Sequence, residues 1–430
     1  MKNKLKFGVV ISAFQTEGSW DKDGKGQSIW DKFTLSKSRK IRGKENAKIA
    51  VDFYHRYKED IQSAKDMGFD VFRFSISWSR VFSAGIGMPN PQGVDFYHRV
   101  IDECKTQGLE PMITAYHWDL PLALQQKGGW ANREIINWFS EYTSFLAKEY
   151  GDKVQNWILI NEGIVFALAG YFLGIHAPKK RGIKNFLKTV HHTLLAQAEG
   201  FRVMKSINQN LNIGTAISCS KIDASRERDK EATKRVDALM NRLHIEPHLG
   251  LGYPIQDLPF LKKMKKYIKE GDMGRIECDF DFWGVQTYIR QELKKAWYIP
   301  YIQARPVIIG KEHRSVMGLE TYPDGVKYFL ERFNRYDKNK PLWASECGIA
   351  LRESDSEDLR IAYYQKIFTD ITGLEKKEIN IKGVLLWSLL DNFEWAEGYK
   401  PRFGLIAVDQ NTLHRTWKKS AFWLQKKLKK

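Results

Sequence analysis

Short apolar runs alternate with amphipathic stretches along the whole chain, and this alternation predicts the architecture. The runs have the length of buried strands, whereas stretches such as 54–67 and 135–150 place apolar residues at helical spacing. The predicted strands cover residues 7–14, 69–75, 111–116, 155–161, 213–218, 282–287, 341–345 and 384–388. Because these strands alternate with helices over one undivided chain, we expect an α/β fold, a single (β/α)8 TIM barrel over residues 1–430. Its active site should lie at the carboxyl ends of the strands.

An open, doubly wound sheet is the rival arrangement of alternating strands and helices. Such a sheet usually carries a glycine-rich phosphate-binding turn after its first strand. The first predicted strand is followed instead by Gln15-Thr16-Glu17-Gly18, which lacks that pattern. The sequence therefore favours the closed barrel.

Two of the predicted strands lead directly into a glutamate and a glycine-containing turn. Glu162 follows the apolar run 155–161, and Glu346 follows 341–345. In a closed barrel both carboxylates reach the rim where such barrels carry out their chemistry. Two carboxyl groups at one rim are what a glycosidase needs if it works by double displacement.

Other polar and aromatic residues fall at or near the predicted strand ends. Gln, His, Asn and Glu side chains can form paired hydrogen bonds with neighbouring hydroxyl groups, and tryptophan offers a flat face to a sugar ring. Any one of them alone is better explained by packing, but packing does not require polar groups at so many strand ends. The residues are Gln15, Arg73, His117, Trp118, Asn161, Tyr288, Trp387, Glu394 and Trp395.

Several of these residues stand in motifs through which the chain resembles glycoside hydrolase family 1, the β-glucosidase and β-galactosidase family. The shared motifs are Gly26-Gln27-Ser28-Ile29-Trp30-Asp31, Tyr54-His55-Arg56-Tyr57, Arg73-Phe74-Ser75-Ile76-Ser77-Trp78, Tyr116-His117-Trp118-Asp119-Leu120-Pro121, Gly128-Gly129-Trp130 and Trp387-Ser388-Leu389-Leu390-Asp391-Asn392-Phe393-Glu394-Trp395. The similarity extends over about residues 7–423. It implies a retaining β-glycosidase that removes β-D-glucosyl, and also β-fucosyl or β-galactosyl, units from the non-reducing end through a covalent glycosyl-enzyme intermediate.

The resemblance also implies roles for the catalytic residues. Glu346 is the expected nucleophile and Glu162 the expected acid and base, with their carboxyl groups roughly 5 Å apart. Arg73 and Tyr288 are expected to favour the ionised form of Glu346. Nearby negative charge and partial burial are expected to keep Glu162 protonated at neutral pH. Asn161 is expected to bond to the 2-hydroxyl of the sugar, where contacts strengthen in the transition state.

The resemblance further implies a set of substrate-binding residues. Four of them are expected to hold the 3-, 4- and 6-hydroxyls, namely Gln15, His117, Glu394 and Trp395. Trp387 is expected to lie beneath the sugar ring, and Trp118 and Phe403 complete the set.

The chain departs from the family pattern near both glutamates. Gly163 follows Glu162 where the family usually has proline, and glycine widens the conformations open to a turn. Cys347 stands beside Glu346 where asparagine is usual, and Leu319 stands where a tryptophan is expected. No catalytic carboxylate is lost. It stays open whether Gly163 loosens the acid/base turn, and which groups are accepted beyond the first sugar.

Charge and composition narrow the remaining classes. The net charge of +18 suggests an anionic partner, but the lysines form small scattered clusters without a nucleic-acid-binding motif. No run approaches the roughly 20 apolar residues of a membrane span, and the N-terminus does not read as a secretion signal. Four widely spaced cysteines without a C-x-x-C pair are typical of reduced thiols. We therefore expect a cytoplasmic enzyme without metal or cofactor. Its expected partners are β-glycosides or short β-linked oligosaccharides, and not nucleic acid or a membrane.

Three alternatives remain. A 6-phospho-β-glycosidase of the same family would suit the positive charge, but Glu394 would repel a phosphate group at the 6-position. A non-catalytic sugar-binding relative would keep the fold and lose turnover. A metal-dependent hydrolase would use His244, Glu246 and His248, although these are more simply read as loop residues near the cleft.

Overall fold

The computed structural model describes residues 5–36, 41–308, 310 and 315–429. We number its strands in chain order. They are β1 (Lys6–Val10), β2 (Val71–Ser75), β3 (Glu110–Tyr116), β4 (Asn156–Asn161), β5 (Asn212–Ala224), β6 (Phe282–Lys295), β7 (Ala304–Pro306), β8 (Glu320–Thr321), β9 (Leu342–Cys347), β10 (Ile381–Trp387), β11 (Ile406–Val408) and β12 (Arg415–Trp417).

Eight of the described strands close into a parallel barrel. Their order around the ring is β5-β4-β3-β2-β1-β10-β9-β6, and a parallel pairing of β5 with β6 completes it. Barrel strands that follow one another along the chain are joined by long crossovers, as parallel pairing requires. The predicted (β/α)8 architecture is confirmed.

A helix follows each barrel strand and packs on the outside of the ring. These helices are α1 (Phe53–Asp66), α2 (Pro91–Thr106), α3 (Ile135–Tyr150), α4 (Ile183–Ile207), α5 (Lys230–Asp237), α6 (Asp324–Tyr336), α7 (Asp358–Lys376) and α8 (Lys419–Leu428). Short helical turns lie in the loops at Ala13–Thr16, Ile29–Leu35, Trp78–Val81, Leu122–Gln126, Gly163–Phe166 and Asp272–Ile276. None of the described helices combines the length and the apolar character needed to cross a bilayer.

The core has two parts because the strands are buried on both faces. A large apolar layer lies between the sheet and the helices. Inside the barrel lies a layer of apolar side chains to which every barrel strand contributes, namely Val10, Val71, Met112, Ile158, Ala216, Phe282, Trp343 and Leu385. These side chains make the barrel a packed support for the residues above them.

The ends of the predicted strands agree with the structure to within three residues except at three ends. Strand β1 ends at Val10, because Ala13–Thr16 forms a helical turn. Strands β5 and β6 run six and eight residues beyond their predicted ends, 218 and 287. Their outer parts pair with each other above the barrel, as Asp223 does with Glu292. Such polar segments lack the apolar run by which a buried strand is recognised.

Candidate active site

An irregularity in β4 turns its last residues toward the barrel axis. Side chains alternate between the two faces of a regular strand. Ile158 faces the interior, yet Leu159 and Ile160 both belong to the outer core. The pairing of β4 with β5 shifts register between Ile158 and Asn161. This bulge brings Asn161 and the following Glu162 to the inner side of the rim.

A second irregularity lies in β9, just before the other glutamate. There β9 advances from Ala344 to Glu346 while β6 advances only from Val285 to Gln286. Because Ala344 packs in the outer core, regular alternation would have pointed Glu346 outward as well. The bulge re-aims its carboxylate into the barrel mouth.

Glu346 is held by a cation and a hydroxyl. Arg73 donates from Nη1 to Oε1 at 2.9 Å, and Tyr288 donates from its hydroxyl to Oε2 at 2.7 Å. Burial raises the pKa of Glu346, while the charge of Arg73 and both hydrogen bonds oppose that rise. The two donors thus occupy both oxygens and favour the carboxylate.

Arg73 also fixes the residues around it. Its position on β2, two residues beyond Val71, aims it into the barrel, where its side chain is fully buried. Nε donates to Thr114 Oγ1 at 2.9 Å, and Nη2 donates to Asn161 Oδ1 at 2.7 Å. Desolvation lowers the pKa of Arg73, and the negative charge of Glu346 offsets part of that effect.

The amide of Asn161 is oriented by its neighbours. Its Oδ1 accepts from Arg73 and, at 2.8 Å, from Gln286 Nε2. The Nδ2 group therefore turns toward the cavity and lies 3.1 Å from His117 Nε2. Burial and the charge of Arg73 hold the pKa of His117 well below its usual range, so its ring is neutral.

Glu162 lies at the junction between β4 and a helical turn. Its backbone is left-handed, with φ of 49°, and its amide donates to Ala216 O at 3.0 Å. Burial raises the pKa of Glu162 to about 8, with a further contribution from the charge of Glu346, while Ser218 and Arg73 act in the opposite direction. Burial is thus the larger cause. The environments of the two glutamates push them toward different protonation states.

The polar end of the cavity is formed around Glu394. Gln15 donates from Nε2 to Glu394 Oε2 at 3.2 Å and to Asn392 Oδ1 at 3.1 Å. Gln15 is fully buried and lies behind Glu394 instead of on the cavity wall. Its direct contact with a sugar stays a prediction. Burial and the charge of Glu346 raise the pKa of Glu394 to about 8.

Aromatic rings form much of the remaining wall. Trp387 lies at the end of β10, with its ring centroid 5.9 Å from that of His117. Trp118 and Trp395 approach to 4.7 Å, and both have a positive φ. Trp118 donates its indole N–H to Asn161 O at 2.9 Å, so it offers the cavity its ring and not a donor. Phe403 lies 5.9 Å from Tyr288.

One cavity of about 310 Å³ collects these groups at the carboxyl ends of the strands. Ten of the twelve predicted site residues line it, namely His117, Trp118, Asn161, Glu162, Tyr288, Glu346, Trp387, Glu394, Trp395 and Phe403. Gln15 and Arg73 support them from behind. Among the described residues, no lysine or arginine lines this cavity.

Several residues of the cavity wall were missed by the sequence analysis. They include Val165, His176, Met240, Ile289 and Met317. All except Ile289 lie in loops or short helical turns, where no predicted strand end marked them. The sequence carries no local signal that separates such loop residues from ordinary packing.

The alternative metal site does not form in the described part of the chain, where no group of three or more potential ligands comes together. Glu246 pairs with Arg242 at 2.6 Å, and His248 donates from Nδ1 to Ile276 O.

The cysteines are Cys104, Cys219, Cys278 and Cys347, and each is a buried free thiol. Burial raises the pKa of Cys347, which leaves this neighbour of Glu346 unreactive.

Comparison with known sequences decides the family. The sequence model named Glycosyl hydrolase family 1 matches residues 1–430. The chain belongs to this family. It is therefore a glycoside hydrolase, as its resemblance implied.

Individual relatives of family 1 agree with this assignment. Beta-glucosidase A of Thermotoga maritima is 35% identical over 427 residues, which are 97% of this chain and 95% of the relative. Beta-glucosidase A of Acetivibrio thermocellus is 36% identical over 438 residues, 98% of this chain and 97% of the relative. A solved structure of the Thermotoga maritima family 1 β-glucosidase superposes with a TM-score of 0.92 at 34% identity, covering 100% of this chain and 99% of that one.

Proposed function

We propose that this protein hydrolyses β-D-glucosides from the non-reducing end with retention of configuration, as one catalytic barrel. The observation that carries the proposal is the contrast between two carboxyl groups in one cavity. Glu346 receives donors on both oxygens, which favours the ionised nucleophile. Glu162 has a pKa raised to about 8, which favours the protonated acid at neutral pH.

The reaction follows from these two states. Glu346 attacks the anomeric carbon while Glu162 gives its proton to the leaving oxygen, and a glycosyl ester forms on Glu346. Esterification removes the negative charge of Glu346, which had raised the pKa of Glu162, and Glu162, ionised after giving up its proton, then takes a proton from water. The water then displaces Glu346 from the opposite face, so two inversions give net retention.

The cavity wall supports recognition of a glucosyl unit. Asn161 turns its amide donor into the cavity beside neutral His117, which suits the 2- and 3-hydroxyls. Glu394 and Trp387 line the same cavity, and we assign the 4- and 6-hydroxyls to the carboxyl group of Glu394 and the face of the sugar ring to Trp387. Solved complexes of the Thermotoga maritima enzyme with deoxynojirimycin and castanospermine, at TM-scores of 0.94 and 0.93, support a site of this kind.

A 6-phosphorylated sugar is not favoured. The described lining residues include Glu162, Glu346, Glu394 and Glu397 but no lysine or arginine. A phosphate dianion in this cavity would meet the negative charge of ionised Glu346 without a compensating cation. A non-catalytic role is also not favoured, because both carboxyls and their hydrogen-bond donors are in place.

We also propose that the enzyme acts in the cytoplasm, since its four cysteines are all free and buried.

The stereochemistry of the first product tests the proposal. Hydrolysis of p-nitrophenyl β-glucoside is followed by proton NMR before mutarotation. The β anomer of glucose should appear first, with the α anomer growing only later. Early appearance of the α anomer would mean direct attack by water and would contradict the roles given to both glutamates.

A further inference from the structure

The turn that follows Glu162 is held against a buried imidazole. Gly163 begins the helical turn Gly163–Phe166 and is buried. A β-carbon at this position would lie 2.9 Å from His244 Cδ2 and 3.0 Å from His244 Nε2. It would also lie 3.2 Å from Thr193 Cγ2 on α4. The ring of His244 therefore occupies the space in which a side chain at position 163 would stand.

Close approach, and not backbone freedom, explains the glycine. Gly163 is not among the residues with a positive φ, whereas Glu162 itself has φ of 49°. An ordinary residue could adopt the backbone of Gly163, but its β-carbon would overlap the imidazole. The ring of His244 thus packs beside the turn at Gly163, where an ordinary residue would have its β-carbon.

His244 has no other evident task in the described structure. It is 3% exposed, and neither ring nitrogen has a hydrogen-bond partner among the described residues. Burial lowers the pKa of His244 to about 3, so the ring is neutral. It is not among the residues that line the cavity, and it belongs to no cluster of potential metal ligands in the described part of the chain. A neutral ring without hydrogen bonds acts through its shape.

We propose that His244 is a positioning residue for Glu162. The ring of His244 wedges against Gly163 and thereby fixes the direction in which the carboxyl group of Glu162 enters the cavity. The inference rests on the proposed function, because it assumes that Glu162 protonates the leaving group. It adds a residue from the segment after β5, outside the cavity, to the machinery of proton transfer.

Three variants test whether His244 positions Glu162 through Gly163, and kcat/KM is measured for each with two substrates. Alkyl β-glucosides need a proton from Glu162, whereas 2,4-dinitrophenyl β-glucoside does not. In Gly163→Ala the new methyl group pushes on the ring, and in His244→Ala the ring is missing. Each should lower kcat/KM for the alkyl substrate by about 10- to 100-fold and leave the dinitrophenyl value within about threefold. The double variant places the methyl group in the vacated space, and its alkyl activity should exceed that of Gly163→Ala by about fivefold or more.

Two further variants separate shape from general stability. His244→Phe keeps the ring and removes the nitrogens, so it should retain the wild-type ratio of the two substrates. His248→Ala is the matched control, because His248 is a buried histidine of the same segment that packs against Phe280. It should lower the melting temperature without changing the ratio.

The outcomes distinguish this inference from the proposed function. A wild-type ratio in Gly163→Ala or His244→Ala would overturn the wedge, and so would a double variant no better than Gly163→Ala. Failure of His244→Phe to retain the ratio would assign the role to the nitrogens instead. Glu162→Ala is measured beside them. If that variant loses activity equally on both substrates, the proposed function fails whatever the His244 variants show.

Discussion

Glu162 and Glu346 have the same side chain, and their surroundings favour different protonation states. Glu346 accepts hydrogen bonds from Arg73 and Tyr288, whereas Glu162 is buried beside the negative charge of Glu346. The sequence alone predicted this division through the motifs around each residue. It did not predict that His244 lies against Gly163. The two residues are about 80 positions apart in the chain, and no local sequence pattern links them.

The first prediction concerns Glu162→Ala. Because general acid catalysis contributes about 10²- to 10⁴-fold, kcat/KM for alkyl glucosides should fall by that amount. For 2,4-dinitrophenyl β-glucoside, kcat/KM should be nearly preserved, since this leaving group needs no proton. Steady-state kinetics over a series of leaving groups measures the difference.

The pH profile carries a second prediction for the same residue. The pKa of Glu162 is raised to about 8, so the proton it donates is present below that pH and is lost above it. Wild-type kcat/KM for alkyl glucosides should therefore decline as the pH rises through about 8. With the dinitrophenyl substrate this alkaline decline should be absent. An identical alkaline limb for both substrates would assign the titration to another group.

Glu394 gives a prediction about the sugar. A carboxylate that reaches both the 4- and 6-hydroxyls accepts from either C4 epimer, so β-glucosides, β-fucosides and β-galactosides should be cleaved with kcat/KM within roughly 100-fold of one another. Glu394→Ser should reduce kcat/KM for p-nitrophenyl β-glucoside by about 100-fold, the loss expected when two hydrogen bonds to the sugar are removed. It should also narrow the gap to the 6-phospho-glucoside. Wild-type preference for the 6-phospho substrate would show that the role given to Glu394 is wrong.

At the scale of elements, the strands were predictable and their irregularities were not. Apolar runs identified every barrel strand, because parallel strands are buried on both faces. The bulges in β4 and β9 left no mark in those runs. Regular alternation would have turned Glu346 to the outer face with Ala344. The motifs placed Glu346 in the site, and the pairing of β9 with β6 explains how it gets there.

The loop that carries Glu394 is braced by a second loop. Glu394 donates its amide to Gly398 O at 2.7 Å, and Tyr399 N donates to Glu45 at 2.7 Å. A β-carbon at Gly398, where φ is 65°, would lie 2.0 Å from Glu45 Oε2. Glu45 therefore fixes the course of the loop without lining the cavity.

This brace predicts an effect on substrate binding. Glu45→Ala should raise KM for p-nitrophenyl β-glucoside by about five- to tenfold, since a lost hydrogen bond costs about 1 kcal/mol or somewhat more. The value of kcat should change less. Glu45→Gln keeps an acceptor and should stay near wild type. Arg42→Ala removes only an exposed ion pair with Glu397 and should have little effect. Equal KM values in Glu45→Ala and the wild type would contradict the brace.

At the scale of the whole molecule, the net charge does not indicate which charged groups line the cavity. The chain carries a net charge of +18, yet its cavity is lined by carboxyl groups and, among the described residues, by no lysine or arginine. The architecture could be predicted because alternation of strands and helices is a property of the entire sequence. The residues of the outer cavity wall could not be predicted, because the segments that hold His176 and Met240 follow no periodic pattern.

The identity of the nucleophile is the central claim, and chemical rescue tests it most directly. Glu346→Gly should abolish hydrolysis of p-nitrophenyl β-glucoside, because no carboxylate then attacks the anomeric carbon. Added azide can occupy the vacated space and attack the same face, so activity should partly return. The product predicted by this account is the α-glucosyl azide, inverted by a single displacement. Recovery of the β-azide from this variant would contradict the account and place the nucleophile elsewhere.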